Sequence, residues 1–164
     1  MLIRQVCKLG MILGKKEFMR LLSIIVLGVL LYSTQIWETD FDKAVEKARS
    51  EHKLVLLYFS GSDWCVPCIR LHKEIFETIV FKDIADSNLI LVNADFPRLK
   101  KNQLSKDQQK QNDKLADKYN PKGIFPLTVL MDEKKKLLMS WEGYPNMSPA
   151  HFTMGLRKYI DEHK

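Results

Sequence analysis

The amino-acid sequence predicts a layered α/β domain built around a mixed β-sheet. Two observations carry this prediction. Apolar runs with the length of buried strands alternate with segments of helical periodicity, and the last two strand candidates are separated by a short charged turn. The chain is 46% hydrophobic and 28% charged, which is ordinary for a globular protein and excludes a largely disordered one. The predicted order of elements is α-β-α-β-α-β-β-α.

The first two elements are a helix and a buried strand. Residues 40–52 are predicted to be helical, because Asp40 suits an N-cap position and apolar residues recur on one face. Residues 53–59 form a continuous apolar run that is rich in strand-forming residues. Such a run is typical of a central strand that is covered on both faces of the sheet. A Ser-Gly-Ser-Asp turn follows at residues 60–63.

A second helix and a second strand come after this turn. Apolar residues at helical spacing predict a helix from residue 65 to about residue 85, and we expect a bend or break at residues 78–82. Ile79 and Val80 are among the apolar positions of this helix. Residues 88–94 are the second buried-strand candidate.

The last part of the chain supplies a helix, a hairpin and a final helix. The polar segment 97–114, an insertion in the predicted domain, leads into a helix that ends near Tyr119. Residues 127–131 and 136–141 are strands joined by a charged turn, so they are predicted to form a hairpin. A Ser-Pro pair at 148–149 opens the last helix, since proline is tolerated in the first helical turn.

The chain begins with the layout of a secretory signal peptide. Residues 1–20 hold five basic residues and one acidic residue, and the apolar run 21–31 follows them. Eleven apolar residues are short for a bilayer span, which needs about 20. We therefore predict a signal peptide or an uncleaved N-terminal membrane anchor over residues 1–34, and one domain over residues 35–164.

The net charge of +6 is unevenly distributed. The basic start of the chain contributes +4 of it, so the composition does not indicate a domain that binds nucleic acid. Residues 97–118 hold seven basic and three acidic residues and lack aromatic residues, which also argues against nucleic acid. We interpret this segment as a solvated insertion and helix face, and a docking surface for an acidic partner is the alternative.

Cys65 and Cys68 carry the chemistry that the sequence predicts. Cys7 lies in the predicted leader, so only these two cysteines belong to the predicted domain. They start a helix that follows a buried strand, which is the context of a redox-active C-x-x-C pair. A helix N-terminus favours the thiolate, so Cys65 is predicted to attack and Cys68 to resolve the mixed disulfide. Pro67 fits the first helical turn and stiffens the short ring between the sulfurs.

Two other interpretations of the cysteine pair stay open. A structural disulfide between these positions would close a very small loop and would stabilise the chain little. Half of a zinc site would need two more ligands, whereas the chain has no second cysteine pair and its four histidines are scattered. We therefore predict no metal and no organic cofactor, because the dithiol is itself the redox group. His72 is interpreted as a surface or packing residue, with tuning of the dithiol as the alternative.

The sequence around the cysteines resembles a known family. Residues 54–68, LVLLYFSGSDWCVPC, look like the strand, active-site turn and helix of the thioredoxin superfamily. Residues 119–131, YNPKGIFPLTVLM, are similar to its second signature, in which a glycine shortly precedes a cis-proline at the start of a strand. The resemblance covers residues 36–164 and is nearest to exported single-domain bacterial proteins with a W-C-x-x-C centre. It implies a thioredoxin fold, with a mixed central sheet and helices on both faces.

The same resemblance implies a substrate site. Pro126 is expected to be cis, and Trp64 and Phe125 are expected to flank the attacking sulfur as an apolar platform. One departure concerns proton transfer. Thioredoxins commonly carry a buried aspartate six residues before the first cysteine, and here that position is Phe59. Asp63 or water would then have to accept the proton of the resolving thiol.

Together these features predict an exported thiol–disulfide oxidoreductase that acts on protein disulfides or dithiols, in the reducing or isomerising direction. The resemblance implies protein substrates and a membrane partner that transfers thiols or reoxidises the pair. We expect the protein in the periplasm of a bacterium or, if the leader is retained, anchored to the inner membrane and facing the periplasm. The alternative function is a non-catalytic thioredoxin-fold module that binds partner or unfolded chains. The intact cysteines and tryptophan argue against it.

Overall fold

The computed structural model describes residues 37–163, so the predicted leader lies outside the described residues. The strands of this part are β1 Leu54–Ser60, β2 Leu89–Asp95, β3 Leu127–Met131 and β4 Leu137–Glu142. They form a sheet in the order β2-β1-β3-β4. β1 pairs in parallel with β2 and antiparallel with β3, and β3 pairs antiparallel with β4. The mixed sheet and the final hairpin are therefore as predicted.

The sheet is covered by helices on both faces. They are α1 Phe41–Glu51, α2 Val66–Leu71, α3 Ile79–Asn88, α4 Lys106–Tyr119 and α5 Pro149–Glu162. A π-helical stretch, His72–Phe76, continues α2, and a 3₁₀ turn, Lys100–Asn102, precedes α4. Among residues 37–163, none of these helices has the length and apolar character needed to cross a bilayer.

Three helices begin at a polar side chain that satisfies their first free N–H groups. Asp40 caps α1, Ser105 caps α4 and Ser148 caps α5, each accepting a hydrogen bond from the backbone N–H three residues further on. Caps of this kind contribute about 1 kcal/mol to helix stability. Two of the three, Asp40 and Ser148, are at the starts that the sequence predicts.

The helix predicted over residues 65–85 is interrupted, as expected. The π-helical stretch ends at Phe76, and Thr78 then adopts an extended backbone and begins α3. The second half of the predicted helix therefore starts again as a separate helix, so the periodicity does not continue across Thr78. Ile79 and Val80, counted among its apolar positions, are therefore exposed, and the apolar face of α3 is formed by other residues, Phe81, Ile84 and Ala85.

Side chains of β1 alternate between two core layers. Leu56 and Tyr58 pack with α2, α3 and α5 on one face, whereas Leu57 and Phe59 pack with α1 and α4 on the other. Every residue of β1 is buried, which explains why its sequence is a continuous apolar run without alternation. β1 is an inner strand of the sheet. The cysteine pair that follows its carboxyl end therefore lies near the middle of the sheet's width, at the end where β1 stops.

Candidate active site

The turn after β1 positions the first cysteine. Cys65 is the N-cap of α2, and its backbone N–H donates a 2.9 Å hydrogen bond to the carbonyl oxygen of Gly61. Glycine is required at position 61, because a Cβ there would overlap the indole of Trp64. The turn therefore packs the indole of Trp64, the residue before Cys65, against the backbone of Gly61.

Cys65 and Cys68 are joined by a disulfide bond, and their Cα atoms are 5.2 Å apart. The backbone N–H of Cys68 also points at the Sγ atom of Cys65, at 3.3 Å. This N–H can stabilise negative charge on the sulfur once the disulfide is reduced. Both residues are buried, and Pro67 lies between them in the first turn of α2, where the sequence predicts it.

An aromatic cluster lies beside the cysteine pair. The Nε1–H group of Trp64 donates a 2.7 Å hydrogen bond to the carbonyl oxygen of Phe96, and the rings of Trp64 and Phe125 pack in a T-shaped arrangement at a centroid distance of 5.4 Å. The Phe125–Pro126 peptide bond is cis, as the resemblance implies. Phe96 also contacts Phe125, although the sequence did not single it out. Its only sequence signal is its position directly after β2.

The loop before Pro126 is held by one buried asparagine. The Nδ2 group of Asn120 donates to the carbonyl oxygen of Ile124, and its Oδ1 atom accepts from the N–H of Ile124, both at 2.8 Å. Gly123 has a positive φ of 63°, a conformation that favours glycine. Asn120 is not among the predicted site residues, because an asparagine near a helix end is common and carries no unique signal.

The residue of β1 that faces Cys68 is Tyr58. Its hydroxyl donates a 2.8 Å hydrogen bond to the carbonyl oxygen of Cys68. Burial, with a smaller contribution from the negative charge of Asp95, raises the pKa of Tyr58 well above its usual range, so the hydroxyl remains protonated. Phe59, which sequence counting placed at this position, packs in the opposite layer. The position at which thioredoxins commonly carry a buried aspartate is therefore occupied by Tyr58 and not by Phe59. As expected, β1 provides no carboxylate next to the resolving cysteine.

The carboxylate of Asp63 is directed at the segment after β2. It accepts hydrogen bonds from the backbone N–H groups of Arg98 and Leu99, both at 2.9 Å, and from the Nδ2 group of Asn102 at 3.0 Å. The bond from Arg98 is the main reason that the pKa of Asp63 is lowered. The structure thus places Asp63 as an anchor of residues 98–102, rather than as a group aimed at Cys68.

A pocket of about 360 Å³ opens beside Cys68, and its lining includes Tyr58, Ser60, His72 and Asn93. His72 is half-buried, and its ring lies 5.6 Å from that of Trp37. Burial lowers the pKa of His72, so the imidazole is neutral at neutral pH. Over the described range 37–163, His, Cys, Asp and Glu side chains do not come together in groups of three or more that could hold a metal ion.

Two curated relatives, both from Chlamydia pneumoniae, are similar to this chain. Disulfide bond reductase DsbH is 36% identical over 102 residues, an alignment that covers 62% of this chain and 59% of that protein. Thioredoxin-related protein DsbJ is 26% identical over 102 residues, which cover 62% of this chain and 29% of DsbJ. The chain therefore spans less than two thirds of the length of either relative.

Solved structures share the fold. A DsbH oxidoreductase matches with a TM-score of 0.71 and 29% identity, over 79% of this chain and 86% of that one. A thioredoxin from Thermus thermophilus matches with a TM-score of 0.56 and 15% identity, over 76% and 87% of the two chains, which supports the fold alone. The thioredoxin-like family matches residues 36–132, more than half of the sequence. The chain thus belongs to the thioredoxin-like family and has the thioredoxin fold.

Proposed function

We propose that this protein is a thiol–disulfide oxidoreductase whose redox group is the Cys65–Cys68 pair. The observation that carries the proposal is the disulfide itself, at the start of α2 and beside the cis peptide bond of Phe125 and Pro126. The similarity to disulfide bond reductase DsbH supports the reducing direction. No cofactor is needed, because the pair donates two electrons as the dithiol and accepts two electrons as the disulfide.

In the reducing direction, the cycle starts from the reduced pair. The Cys65 thiolate attacks one sulfur of a substrate disulfide, that S–S bond breaks, and the other substrate sulfur leaves as a thiolate that takes a proton. Cys68 then gives up its proton and attacks the Cys65 sulfur, which releases the second substrate thiolate and forms the Cys65–Cys68 disulfide. Two electrons have moved from the protein to the substrate.

The aromatic cluster supplies a surface for the substrate chain. In our proposal Trp64 and Phe125 contact the apolar groups beside the substrate disulfide, and the backbone next to Pro126 pairs with the substrate backbone. Trp64 suits this role because its hydrogen bond to Phe96 fixes the orientation of the indole. Pro67 supports the site by restricting the backbone between the two sulfurs.

The proposed cycle needs a second protein, because oxidation of Cys65 and Cys68 leaves the pair unable to reduce another disulfide. We propose an exported protein that works in the periplasm on protein substrates and is reduced again by a membrane thiol-transfer partner. The basic and apolar start of the chain supports export. Similarity to DsbH and DsbJ supports a role among disulfide-handling proteins.

Trapping the mixed disulfide tests the proposal. In a Cys7→Ser background, which removes the third cysteine, Cys68→Ser leaves an attacking thiol that cannot be resolved. Incubated with a purified protein that has one exposed disulfide, this variant is expected to form a covalent adduct that dithiothreitol releases. The matched variant Cys65→Ser should form little adduct, because Cys65 is the attacking thiol in the proposed cycle and Cys68 is the less exposed of the two, at 1% against 4%. Non-covalent binding without any adduct would instead support a non-catalytic binding module.

A further inference from the structure

A basic loop lies beside the candidate active site. We define the basic loop as residues 97–102, in which Arg98, Lys100 and Lys101 are all exposed. Among residues 37–163, no carboxylate forms an ion pair with any of these three side chains. Three cationic groups therefore face solvent, and none of them is held in an ion pair with a carboxylate of the described residues.

The basic loop is fixed in place next to the attacking cysteine. Asp63, two residues before Cys65, accepts hydrogen bonds from the N–H groups of Arg98 and Leu99 and from the side chain of Asn102. These bonds tie both ends of the loop to the turn that carries the dithiol. The backbone that carries the three positive charges is consequently fixed relative to the turn before Cys65.

Arg98 joins the basic loop to the aromatic cluster. Its guanidinium carbon lies 3.7 Å from the centroid of the Trp64 ring, which is the geometry of a cation–π contact. A guanidinium stacked in this way keeps its in-plane N–H groups available, and their fork matches a carboxylate. The face of Trp64 that carries Arg98 thus combines an apolar contact with a donor for an anion.

The charge balance of this surface favours an acidic ligand. The acid that contacts the loop is Asp63, and its carboxylate is already occupied by the three hydrogen bonds described above. The carboxylate of Asp95 accepts from the backbone N–H and the hydroxyl of Ser62, next to Asp63, and adds a second negative charge. Three positive charges, those of Arg98, Lys100 and Lys101, still exceed these two. A polypeptide that reaches Cys65 across Trp64 would have to pass this surface.

We propose that the basic loop recognises acidic side chains, Asp or Glu, close to the reacting cysteine of the substrate polypeptide. This inference rests on the proposed function and adds a substrate preference to it. Arg98 pairs with a carboxylate at the edge of Trp64, and Lys100 and Lys101 attract further acidic residues. The loop accordingly favours acidic sequences around a substrate disulfide over neutral ones of the same shape.

Two peptide disulfides that differ only in charge test the proposal. Each is a disulfide-linked peptide dimer, with glutamates on both sides of the cysteine in one and glutamines in the other. The rate at which the reduced full-length protein reduces each peptide is measured, and the same two rates with dithiothreitol correct for the effect of glutamate on the disulfide itself. At low salt, the corrected preference for the glutamate peptide is expected to be about three- to tenfold. It should fall towards one in about 1 M salt, where the Debye length is only about 3 Å.

Variants that remove positive charges show which residues cause the preference for the glutamate peptide. The corrected ratio is the rate with the glutamate peptide divided by the rate with the glutamine peptide, after the dithiothreitol correction. It should fall in Lys100→Gln/Lys101→Gln and in Arg98→Gln. Arg98→Lys should retain more of it than Arg98→Gln. The matched control is Lys134→Gln/Lys136→Gln, which removes two exposed lysines from the β3–β4 turn. That turn lies at the opposite end of the sheet, because Met131 pairs with Val55 whereas Leu127 pairs with Phe59. The control should keep the wild-type ratio.

The outcomes separate this inference from the proposed function. A corrected ratio of one for the wild type, with normal reduction of the glutamine peptide, would overturn the acidic preference and leave the oxidoreductase function intact. A ratio that survives in the loop variants, or that falls equally in the control, would also overturn it. Failure to reduce either peptide would contradict the oxidoreductase function and, with it, the inference.

Discussion

The hydroxyl of Tyr58 donates a 2.8 Å hydrogen bond to the carbonyl oxygen of Cys68, which joins the central strand to the helix that carries the dithiol. Tyr58 is 1% exposed, and burial raises the pKa of its hydroxyl well above the usual range. The hydroxyl is thus a permanent donor in this contact and cannot accept the Cys68 proton. Another acceptor must therefore take that proton, and the pocket that Tyr58 and Cys68 both line adjoins Cys68.

Tyr58→Phe is expected to destabilise the fold. The substitution keeps the ring and removes the hydrogen bond to Cys68, so the free energy of unfolding should fall by about 1 kcal/mol. Tyr144→Phe is the matched control, because it removes a hydroxyl that bonds to Glu74 on the surface. Denaturant unfolding of both variants checks the prediction. Equal losses of unfolding free energy in the two variants would contradict a greater contribution of the buried hydrogen bond than of the exposed one.

Asp63→Asn should loosen the basic loop. An amide keeps one acceptor oxygen and loses the charge that strengthens the bonds from Arg98 and Leu99. Amide hydrogen exchange at residues 98–102 should become faster. Asp86→Asn, which changes an exposed carboxylate on α3, should leave exchange in this loop unchanged. Exchange that is unaltered in Asp63→Asn would contradict the anchoring role.

The contribution of Asp63 to stability should depend on pH in one direction. Its folded pKa is lowered from the ordinary value of 3.8, mainly by the hydrogen bond from the Arg98 N–H. The stabilisation is therefore fully present above 3.8 and is lost as the pH falls through the lower folded value. Wild type should be more stable than Asp63→Asn at neutral pH, and this difference should shrink in acid. A difference that grows in acid would contradict the assignment.

Gly61→Ala should displace the indole of Trp64. The new Cβ would overlap this ring, so we expect a loss of about 1–3 kcal/mol in the free energy of unfolding and an altered tryptophan fluorescence. Gly155→Ala is the control, since a Cβ there meets no atom within 4 Å. It lies in α5, where alanine should stabilise the helix by about 0.5–1 kcal/mol. Similar effects of the two substitutions would contradict the role of Gly61.

Local sequence patterns were sufficient to predict most of the fold. A continuous apolar run predicts the doubly covered β1, and the polar caps Asp40 and Ser148 predict two helix starts that the structure confirms. The C-x-x-C pair after a buried strand and a turn predicts that the cysteines lie at the start of a helix. These features depend on neighbouring residues only, which is why the sequence reveals them.

The candidate site was harder to predict where it depends on register or on distant contacts. Counting six residues back from Cys65 led to Phe59, but strand alternation directs Tyr58 towards the cysteines instead. A count along the chain does not show which face of a strand a residue occupies, and a difference of one residue exchanges the two faces. The contacts of Trp64 with Phe96 and Arg98 join segments about 30 residues apart and leave no periodic signal.

The redox potential of the Cys65–Cys68 pair tests the central claim most directly. The purified protein is equilibrated with glutathione or dithiothreitol buffers, and the fraction of reduced pair is measured by thiol labelling and mass. A reductase should show one reversible two-electron transition near the thioredoxin end of the range, at about −270 mV, and Cys65→Ser should abolish it. A potential near about −120 mV would contradict the reducing direction, and the absence of a reversible transition would contradict the redox function itself.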